Sequence, residues 1–233
     1  MLKISVIIPA YNEEKTIIPL LESVNAQNND SVKLEVVVID DGSKDRTADL
    51  LDERPDLYAT LIRLPQNRGK GGAVKSGLKE ATGDYILFQD ADLEYSPADY
   101  ASLFLPITEF DADIVMGSRL TAPPYTRVHY YWHKVGNRFI TFFFNILNNM
   151  TFTDVYSGYL VYRRSLVDAN KLRTEGWEQQ AEILSKAVRS ARAIYEVPIS
   201  YRGRTYGEGK KIKAYHTFRI LYNMLRERIF PSA

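Results

Sequence analysis

The sequence contains no cysteine, no long apolar run and almost no excess of charge of either sign. Without cysteine, disulfide bonds and thiolate metal sites are excluded. The best apolar candidate, Phe139–Leu147, is far shorter than the roughly 20 residues that a membrane-spanning helix needs. A formal net charge of +1 gives no chain-wide field that would attract nucleic acid. Nucleic acid is therefore not expected as a partner, and any basic patch must be local.

The N-terminus has no separate apolar segment, because Met-Leu-Lys runs straight into ISVIIP. Export is therefore not expected, and we predict a cytoplasmic location. The 233 residues are 45% hydrophobic and 25% charged, a composition that can bury a sizeable core. No stretch rich in Gly, Ser or Pro marks a boundary between domains. We predict a single domain over residues 1–233, with halves 1–120 and 121–233 that differ in pattern.

The first half alternates β-branched runs with amphipathic stretches, which is typical of βα units in an α/β protein. The predicted strands are ISVIIP, LEVVVID, ATLIRL, DYILFQD and ADIVMG. The predicted helices lie near Glu13–Ala26, Thr47–Glu53, Gly71–Ala81 and Pro97–Phe104. The pattern predicts a doubly wound, mostly parallel sheet flanked by helices. Ligands bind such sheets outside the carboxyl ends of the strands, and the residues after all five predicted strands are unusually polar. A single ligand site shared by the five strand ends would explain these polar residues.

Asp90 and Asp92 follow the apolar run ILFQ. Residues two apart on an extended chain point to the same side, so this spacing predicts a pair of carboxylates facing one ligand. Such a pair suits Mg²⁺ or Mn²⁺, which completes its coordination with substrate phosphate and water. Glu94 continues the spacing and is a candidate third ligand, directly or through water. Alone, the pattern describes a turn with solvated acids more often than a metal site.

Two further strand ends carry groups suited to a nucleotide. Asp41 follows VVVID and can accept hydrogen bonds from base or ribose groups, although Asp-Gly-Ser is also a common turn. The segment Arg68–Gly72 combines close backbone approach with two cations before a helix, which suits a diphosphate. It lacks the spacing of a P-loop, so phosphoryl transfer of the NTPase kind is unsupported.

The second half is aromatic and locally basic. Residues 125–152 hold many aromatic side chains among basic ones, a pattern that suits a membrane surface. The tail 213–230 has apolar residues at helical spacing and fits either core packing or a surface anchor. Residues 201–211 form a cationic segment punctuated by glycine, which fits either closure over a polyanion or a solvated surface loop.

Eight segments together resemble family 2 glycosyltransferases of the dolichol-phosphate mannose or glucose synthase type. In order, they are PAYNEE, VVVIDDGSKDRT, NRGKGGAVKSGL, ILFQDADLEYSP, VMGSRL, GNRFIT, TDVYSGYLVYRRSLV and EVPISYRGRTYGEGKKI. The resemblance spans nearly the whole chain and implies the GT-A fold. Two departures stand out: residues 177–182 keep only the last acid of the relatives' Phe-Gly-Phe-Glu-Pro-Glu, and the C-terminal membrane helices of some relatives have no counterpart in the sequence.

The resemblance implies roles for individual residues. The nucleoside and donor would be contacted by Pro9, Tyr11, Glu13, Ile39, Asp41, Ala91 and Glu182. Lys70 would approach the diphosphate, and Asp90, Asp92 and Glu94 would bind Mg²⁺ or Mn²⁺. The phosphates of donor and lipid acceptor would be gathered by Arg119, Arg138, Arg204 and Lys210. Asp92, Arg119, Arg204 and Lys210 would be the catalytic residues.

The implied reaction moves mannose or glucose from a GDP- or UDP-sugar to a polyprenyl phosphate, with inversion, at the cytoplasmic face of a membrane that the enzyme contacts peripherally. One alternative is transfer to a sugar hydroxyl, for which Asp154 or Glu182 would have to remove a proton. Another is a module that binds nucleotide-sugars without catalysis. The sequence does not rank GDP-mannose against UDP-glucose.

Overall fold

The computed structural model describes residues 1–121, 131–203 and 216–230. Its centre is a seven-stranded sheet with the order β3-β2-β1-β4-β6-β5-β7. The strands are β1 (Leu2–Ala10), β2 (Val32–Asp40), β3 (Thr60–Arg63), β4 (Tyr85–Phe88), β5 (Ile114–Ser118), β6 (Leu160–Arg163) and β7 (Ile194–Pro198). All five strands predicted in the first half are present, and the second half contributes β6 and β7.

Every neighbouring pair of strands is parallel except the two pairs that involve β6, which is antiparallel to both β4 and β5. The predicted mostly parallel sheet is therefore confirmed. The consequence for function is geometric: the carboxyl ends of β1 to β5 and β7 share one edge of the sheet. Ligand sites of open α/β sheets lie at this edge.

Seven α-helices among the described residues flank the sheet. They are α1 (Ile17–Asn25), α2 (Thr47–Glu53), α3 (Gly69–Glu80), α4 (Tyr100–Phe110), α5 (Tyr131–Asn148), α6 (Gln179–Ala187) and α7 (His216–Ile229). The predicted α2 coincides with the observed helix. The predicted α4 is displaced, because Pro97–Asp99 form a 3₁₀ turn and the α-helix continues to Phe110.

Two apolar layers cover the faces of the sheet. On one face α3 lies very close to the strands at Gly77, where an added Cβ would come within 2.6 Å of Ile39 Cδ1 and 3.0 Å of Ile7 Cγ2. Ile39 is fully buried there. The close approach fixes the start of α3 beside the carboxyl ends of the strands.

At the opposite, amino-terminal edge of the sheet, Glu35 joins three segments. Its carboxylate accepts hydrogen bonds from Lys3, from Ser5 and from both the backbone and side chain of Thr82. Burial alone would raise the pKa of Glu35, but these donors outweigh burial and lower the pKa from 4.5 to about 2. The charged carboxylate therefore stabilises the junction of β1, β2 and the turn before β4.

Glu35→Gln should lower the free energy of unfolding by about 1–3 kcal/mol at neutral pH, because it removes charge-assisted bonds from a largely buried group. The folded-state pKa is depressed, so this stabilisation is complete above the unfolded pKa of 4.5 and is lost as pH falls toward about 2. Urea unfolding at a series of pH values measures the effect. Glu53→Gln, at an exposed position, is the control and should change stability by less than about 0.5 kcal/mol.

Candidate active site

A cleft of 740 Å³ lies at the carboxyl edge of the sheet. Its walls come from the ends of β1, β2, β4 and β5, the start of α3, and faces of α5, α6 and α7. The residues predicted for the site that line this cleft are Pro9, Tyr11, Glu13, Asp41, Lys70, Asp90, Ala91, Asp92, Glu94 and Arg119. The polar strand ends thus surround one cavity of a size suited to a small-molecule ligand.

Three predicted site residues lie elsewhere. Ile39 was expected beside the base, but it points into the core under α3 and does not line the cleft. Arg138 was expected to bind phosphate, but it is exposed on α5 and also does not line the cleft. Glu182 is fully buried and accepts hydrogen bonds from the backbone of Arg173 and Thr174, so it shapes a loop.

Arg204 and Lys210, predicted as catalytic, lie outside the described residues.

The two central carboxylates lie in a turn. Sequence reasoning placed Asp90 and Asp92 on one side of an extended chain, and this reason was wrong, because β4 ends at Phe88. The following turn contains Leu93 with φ of 59°, a left-handed conformation that is rare for a bulky residue. Both carboxylates nevertheless face the cleft, because the turn, rather than the two-residue period of a strand, presents them there.

Lys70 provides a cation beside this turn. Its ammonium group forms an ion pair with Asp90 and lies 5.7 Å from the centre of the Trp177 ring. Lys70 is the second residue of α3, and the N-terminal end of a helix favours anions. The start of α3 therefore brings a lysine and a helix terminus to the same wall of the cleft, a combination that suits a diphosphate.

The glycines at the start of α3 permit close packing against the chain before α6. An added Cβ at Gly71 would lie 2.4 Å from the carbonyl carbon of Glu175, so no larger residue fits. The backbone N–H of Arg68 donates to Asp41 at 2.7 Å. Burial raises the pKa of Asp41 although this bond opposes the rise. Asp41 therefore holds the glycine-rich segment as well as lining the cleft.

Asp90 and Asp92 bring two carboxylates to the cleft, the kind of oxygen ligand that a divalent metal ion prefers. Within the described ranges, no group of three or more His, Cys, Asp or Glu side chains is arranged to hold a metal. Two carboxylates nevertheless suit Mg²⁺ or Mn²⁺, which commonly take one or two protein carboxylates together with phosphate and water. Asp90 already receives the cationic Lys70. The donor set fits a divalent ion held by Asp90 and Asp92, while Glu94 remains a prediction as a third ligand.

Arg119 is held in place by a buried carboxylate. Its guanidinium donates to Asp154 through Nε at 2.7 Å and Nη2 at 2.8 Å, and to Tyr95 Oη through Nη1 at 3.2 Å. Burial alone would lower the pKa of Arg119, but Asp154 and the nearby tyrosines raise it well above its usual value. Arg119 is thus a permanent, oriented cation in the cleft wall, and Asp154, fully buried against it, is not placed to act as a base.

Sequence reasoning missed several aromatic residues that line the cleft. They are Tyr95, Trp132, Tyr156, Trp177 and Tyr201. Tyr95 could have been found from the sequence, because it lies shortly after the predicted strand DYILFQD, and Tyr201 is the first residue of the cationic segment 201–211. Trp177 gave no comparable signal: it follows Glu175, whose backbone packs on Gly71 and accepts a hydrogen bond from the N–H of Gly72.

Comparison with solved structures identifies the fold. The glucosyl-3-phosphoglycerate synthase of Mycobacterium tuberculosis, in complex with UDP, superposes with a TM-score of 0.70 at 19% identity over 100% of this chain and 82% of that one. TarS of S. aureus in complex with UDP-GlcNAc superposes with a TM-score of 0.64 at 21% identity over 96% and 66%. The fold is that of the GT-A glycosyltransferases.

The sequence model of the family described as Glycosyl transferase family 2 matches residues 5–170. The chain therefore belongs to this family. A UDP-N-acetylglucosamine–dolichyl-phosphate N-acetylglucosaminyltransferase of Methanococcus voltae is 30% identical over 95% of this chain and 94% of its own length. A dolichol-phosphate mannosyltransferase of Pyrococcus furiosus is 31% identical over 97% of this chain. This chain spans only 63% of the Pyrococcus protein.

Proposed function

We propose that this chain is a metal-dependent, inverting glycosyltransferase that moves a hexosyl group from a GDP- or UDP-sugar to a polyprenyl phosphate. The observation that carries the proposal is one continuous cleft. It runs from the turn that holds Asp90 and Asp92, here called the carboxylate turn, to a wall made by α5 and α7, two helices with exposed apolar faces. A soluble donor and a lipid-borne phosphate would thus meet in one site. The names of the Methanococcus and Pyrococcus relatives, both transferases to a dolichol-type phosphate, support the same acceptor.

The donor is proposed at the level of its chemistry. Mannose and glucose are the sugars that the sequence motifs favour, and the Methanococcus relative adds N-acetylglucosamine. The residues assigned to the diphosphate and to the metal do not distinguish GDP from UDP. A panel of donors is therefore the first experiment.

The leaving group would be stabilised at the start of α3 and at the carboxylate turn. A divalent ion held by Asp90 and Asp92 would neutralise charge on the departing nucleoside diphosphate. Lys70, which lies against Asp90, would bind the same diphosphate through its ammonium group. Arg119, fixed by Asp154, would supply a second oriented cation for phosphate oxygens.

The reaction would be a single displacement. A bond forms between an oxygen of the acceptor phosphate and the anomeric carbon as the bond from that carbon to the diphosphate oxygen breaks, and the nucleoside diphosphate leaves with the electron pair. The acceptor is already an anion, so no base is needed. A sugar hydroxyl acceptor would need one, and the two candidates, Asp154 and Glu182, are fully buried and bonded to protein groups.

The membrane would be met by α5 and α7, which pack against each other. None of the described helices is long and apolar enough to cross a bilayer. Their large exposed apolar residues are Tyr131, Trp132, Val135, Phe139, Phe142 and Ile146 on α5, and Phe218, Tyr222, Leu225 and Ile229 on α7. Aromatic side chains on amphipathic helices favour the membrane interface. We propose peripheral binding to the cytoplasmic face of a membrane.

The double variant Phe139→Asp and Phe142→Asp should bind vesicles at least about tenfold more weakly, because each phenylalanine loses burial worth roughly 1.5–3 kcal/mol. Sedimentation with anionic phospholipid vesicles measures the loss. Phe110→Asp, an equally exposed position on α4, is the control and should bind normally. Equal binding by the double variant and the unmodified protein would contradict this face as the membrane contact.

The function itself is tested by incubating the protein with Mn²⁺ or Mg²⁺, labelled GDP- and UDP-sugars, and a short polyprenyl phosphate. We expect a lipid-linked sugar with at least one donor. Absence of product with every donor would refute the proposal, and transfer to an added oligosaccharide instead would establish the hydroxyl acceptor. Binding of a donor without turnover on any acceptor would indicate a non-catalytic module.

A further inference from the structure

A second cavity lies at the amino-terminal edge of the sheet, at the end of α3 that is distant from the cleft. It has a volume of 440 Å³ and is formed by the end of α3, by β4 and β6, and by the 3₁₀ turns Arg164–Leu166 and Ala169–Lys171. Among the described residues, none lines both this cavity and the cleft. The second cavity, here called the rear cavity, is therefore a separate site.

A buried tyrosine without a hydrogen-bond partner lines the rear cavity. Tyr162 of β6 is 1% exposed and pairs with Ile86 of β4, which lines the cavity beside it. The comparably buried Tyr85, Tyr100 and Tyr159 each donate to a protein oxygen. The Tyr162 hydroxyl makes no hydrogen bond with any residue that the structure describes.

The missing partner of Tyr162 points to a ligand. Burial raises the pKa of its hydroxyl, so the group keeps its proton and can both donate and accept. A buried hydroxyl without a partner costs free energy, and nearly all such groups in proteins are paired. Because Tyr162 lines the rear cavity, the partner would come from a molecule bound there.

Two cations at the rim have donors to offer. Arg164 donates through Nε to the carbonyl of Gly83 at 2.8 Å. This bond orients the guanidinium, and its two terminal nitrogens have no partner within the described ranges. Lys79 is exposed and forms no ion pair with a described residue. Asp168 is the one acid among the described lining residues, and its Oδ1 accepts from the backbone N–H of Asn170 at 2.9 Å. The rim therefore has an excess of positive charge.

We propose that the rear cavity binds a small hydroxylated organic molecule that carries one oxyanion group, a phosphate or a carboxylate. The oxyanion would accept from the terminal nitrogens of Arg164, which suit such groups in pairs, and from Lys79. A hydroxyl of the ligand would pair with Tyr162. The cavity of 440 Å³ is far larger than the roughly 30 Å³ that one water occupies, so a bare ion would not fill it. The last carbonyls of α3 favour donors, which suits further hydroxyls.

Four probes separate the parts of the proposed ligand. Glucose 6-phosphate and gluconate are hydroxylated molecules with a phosphate and a carboxylate, whereas glucose lacks the anion and inorganic phosphate lacks the hydroxylated body. We expect at least one of the first two to bind at least about tenfold more tightly than glucose and inorganic phosphate, because hydrogen bonds to a charged group are strong. Isothermal titration calorimetry measures all four.

Substitutions locate the binding. Lys79→Ala and Arg164→Gln should each weaken the bound probe by about tenfold, and Tyr162→Phe should weaken it by about threefold or more. Lys33→Ala, at an exposed position on β2 outside the rear cavity, is the matched control and should bind normally.

Urea unfolding tests whether the Tyr162 hydroxyl lacks a protein partner. Tyr162→Phe should leave the unfolding midpoint unchanged, because the hydroxyl makes no bond within the described part of the chain. Tyr85→Phe should lower the midpoint, because the Tyr85 hydroxyl donates to the carbonyl of Ala112 at 2.9 Å. A midpoint lowered equally in both variants would overturn the assignment of Tyr162 to a ligand.

The outcomes of the binding experiment are distinct. Failure of both glucose 6-phosphate and gluconate to bind would overturn the proposal, and so would equally tight binding of glucose. Binding that Lys70→Ala weakens and Lys79→Ala leaves unchanged would place the probe in the cleft, which also overturns it. Binding lost in Lys79→Ala and Arg164→Gln but kept in Lys70→Ala would establish the rear cavity as a site. The tighter of the two anions would then identify the oxyanion as phosphate or carboxylate.

Discussion

Asp92→Asn is expected to reduce glycosyl transfer by about 1000-fold or more, because a metal ion that neutralises a leaving diphosphate contributes several kcal/mol and each 1.4 kcal/mol is worth a factor of ten. Asparagine is nearly the same size and keeps an oxygen that can accept the bond from the Glu94 backbone. The fold should therefore be unchanged. Initial rates with saturating donor and acceptor, measured at several Mn²⁺ concentrations, give the effect.

Asp99→Asn is the control for this experiment. Asp99 lies close in sequence and accepts hydrogen bonds from Ser200, but it does not line the cleft. It should retain transfer within a few-fold. Transfer by Asp92→Asn at a rate near that of the unmodified protein would contradict the metal assignment, and restoration of its activity by raised Mn²⁺ would support it.

Asp154→Ala is expected to destabilise the protein by about 3–5 kcal/mol, because it leaves the buried Arg119 cation without its partner. Asp154 is fully buried and only 14% of the Arg119 side chain is exposed. Transfer should also be lost, since Arg119 and the tyrosines that it contacts line the cleft. Urea unfolding measures the first effect and the transfer assay measures the second.

A surface ion pair provides the comparison. Asp111 pairs with Arg163 and is 89% exposed, so Asp111→Ala should cost less than about 1 kcal/mol. The double variant Asp154→Leu with Arg119→Met removes both charges and should recover much of the stability but none of the activity. If Asp154→Ala lowered the free energy of unfolding no more than Asp111→Ala, the Arg119–Asp154 pair would not be needed to stabilise this wall of the cleft.

Much of the donor side could be predicted from the sequence, for a physical reason. Strands of a parallel sheet are recognisable in the sequence as apolar runs. Their carboxyl ends lie at the same edge of the sheet, however the helices pack. Asp41, Lys70, Asp90 and Asp92 were therefore found together in the cleft by counting strand ends. Asp90 and Asp92 face the cleft even though they lie in the turn after β4 and not on an extended strand.

The remaining features depend on contacts between distant segments, which no local pattern reveals. Arg119 and Asp154 are 35 residues apart, and Tyr201 and Glu94 are 107 apart. The resemblance implied that Glu182 contacts the donor, but the place of a residue in a motif does not reveal whether its side chain is buried. Ile39 and Arg138 do not line the cleft either: Ile39 lies under α3 and Arg138 is exposed on α5.

The position of β6 limits how this enzyme can be recombined with its relatives. The strand comes from the second half of the sequence, yet it lies between β4 and β5 of the first half and supplies the hydrogen-bonding partner of both. A fragment ending after β5 would leave two inner strands with unpaired edges, which invite aggregation. Because β6 and the rest of the sheet form one hydrogen-bonded unit, a chimera should take all seven strands from one parent protein. Only helices should come from the relative whose acceptor specificity is wanted.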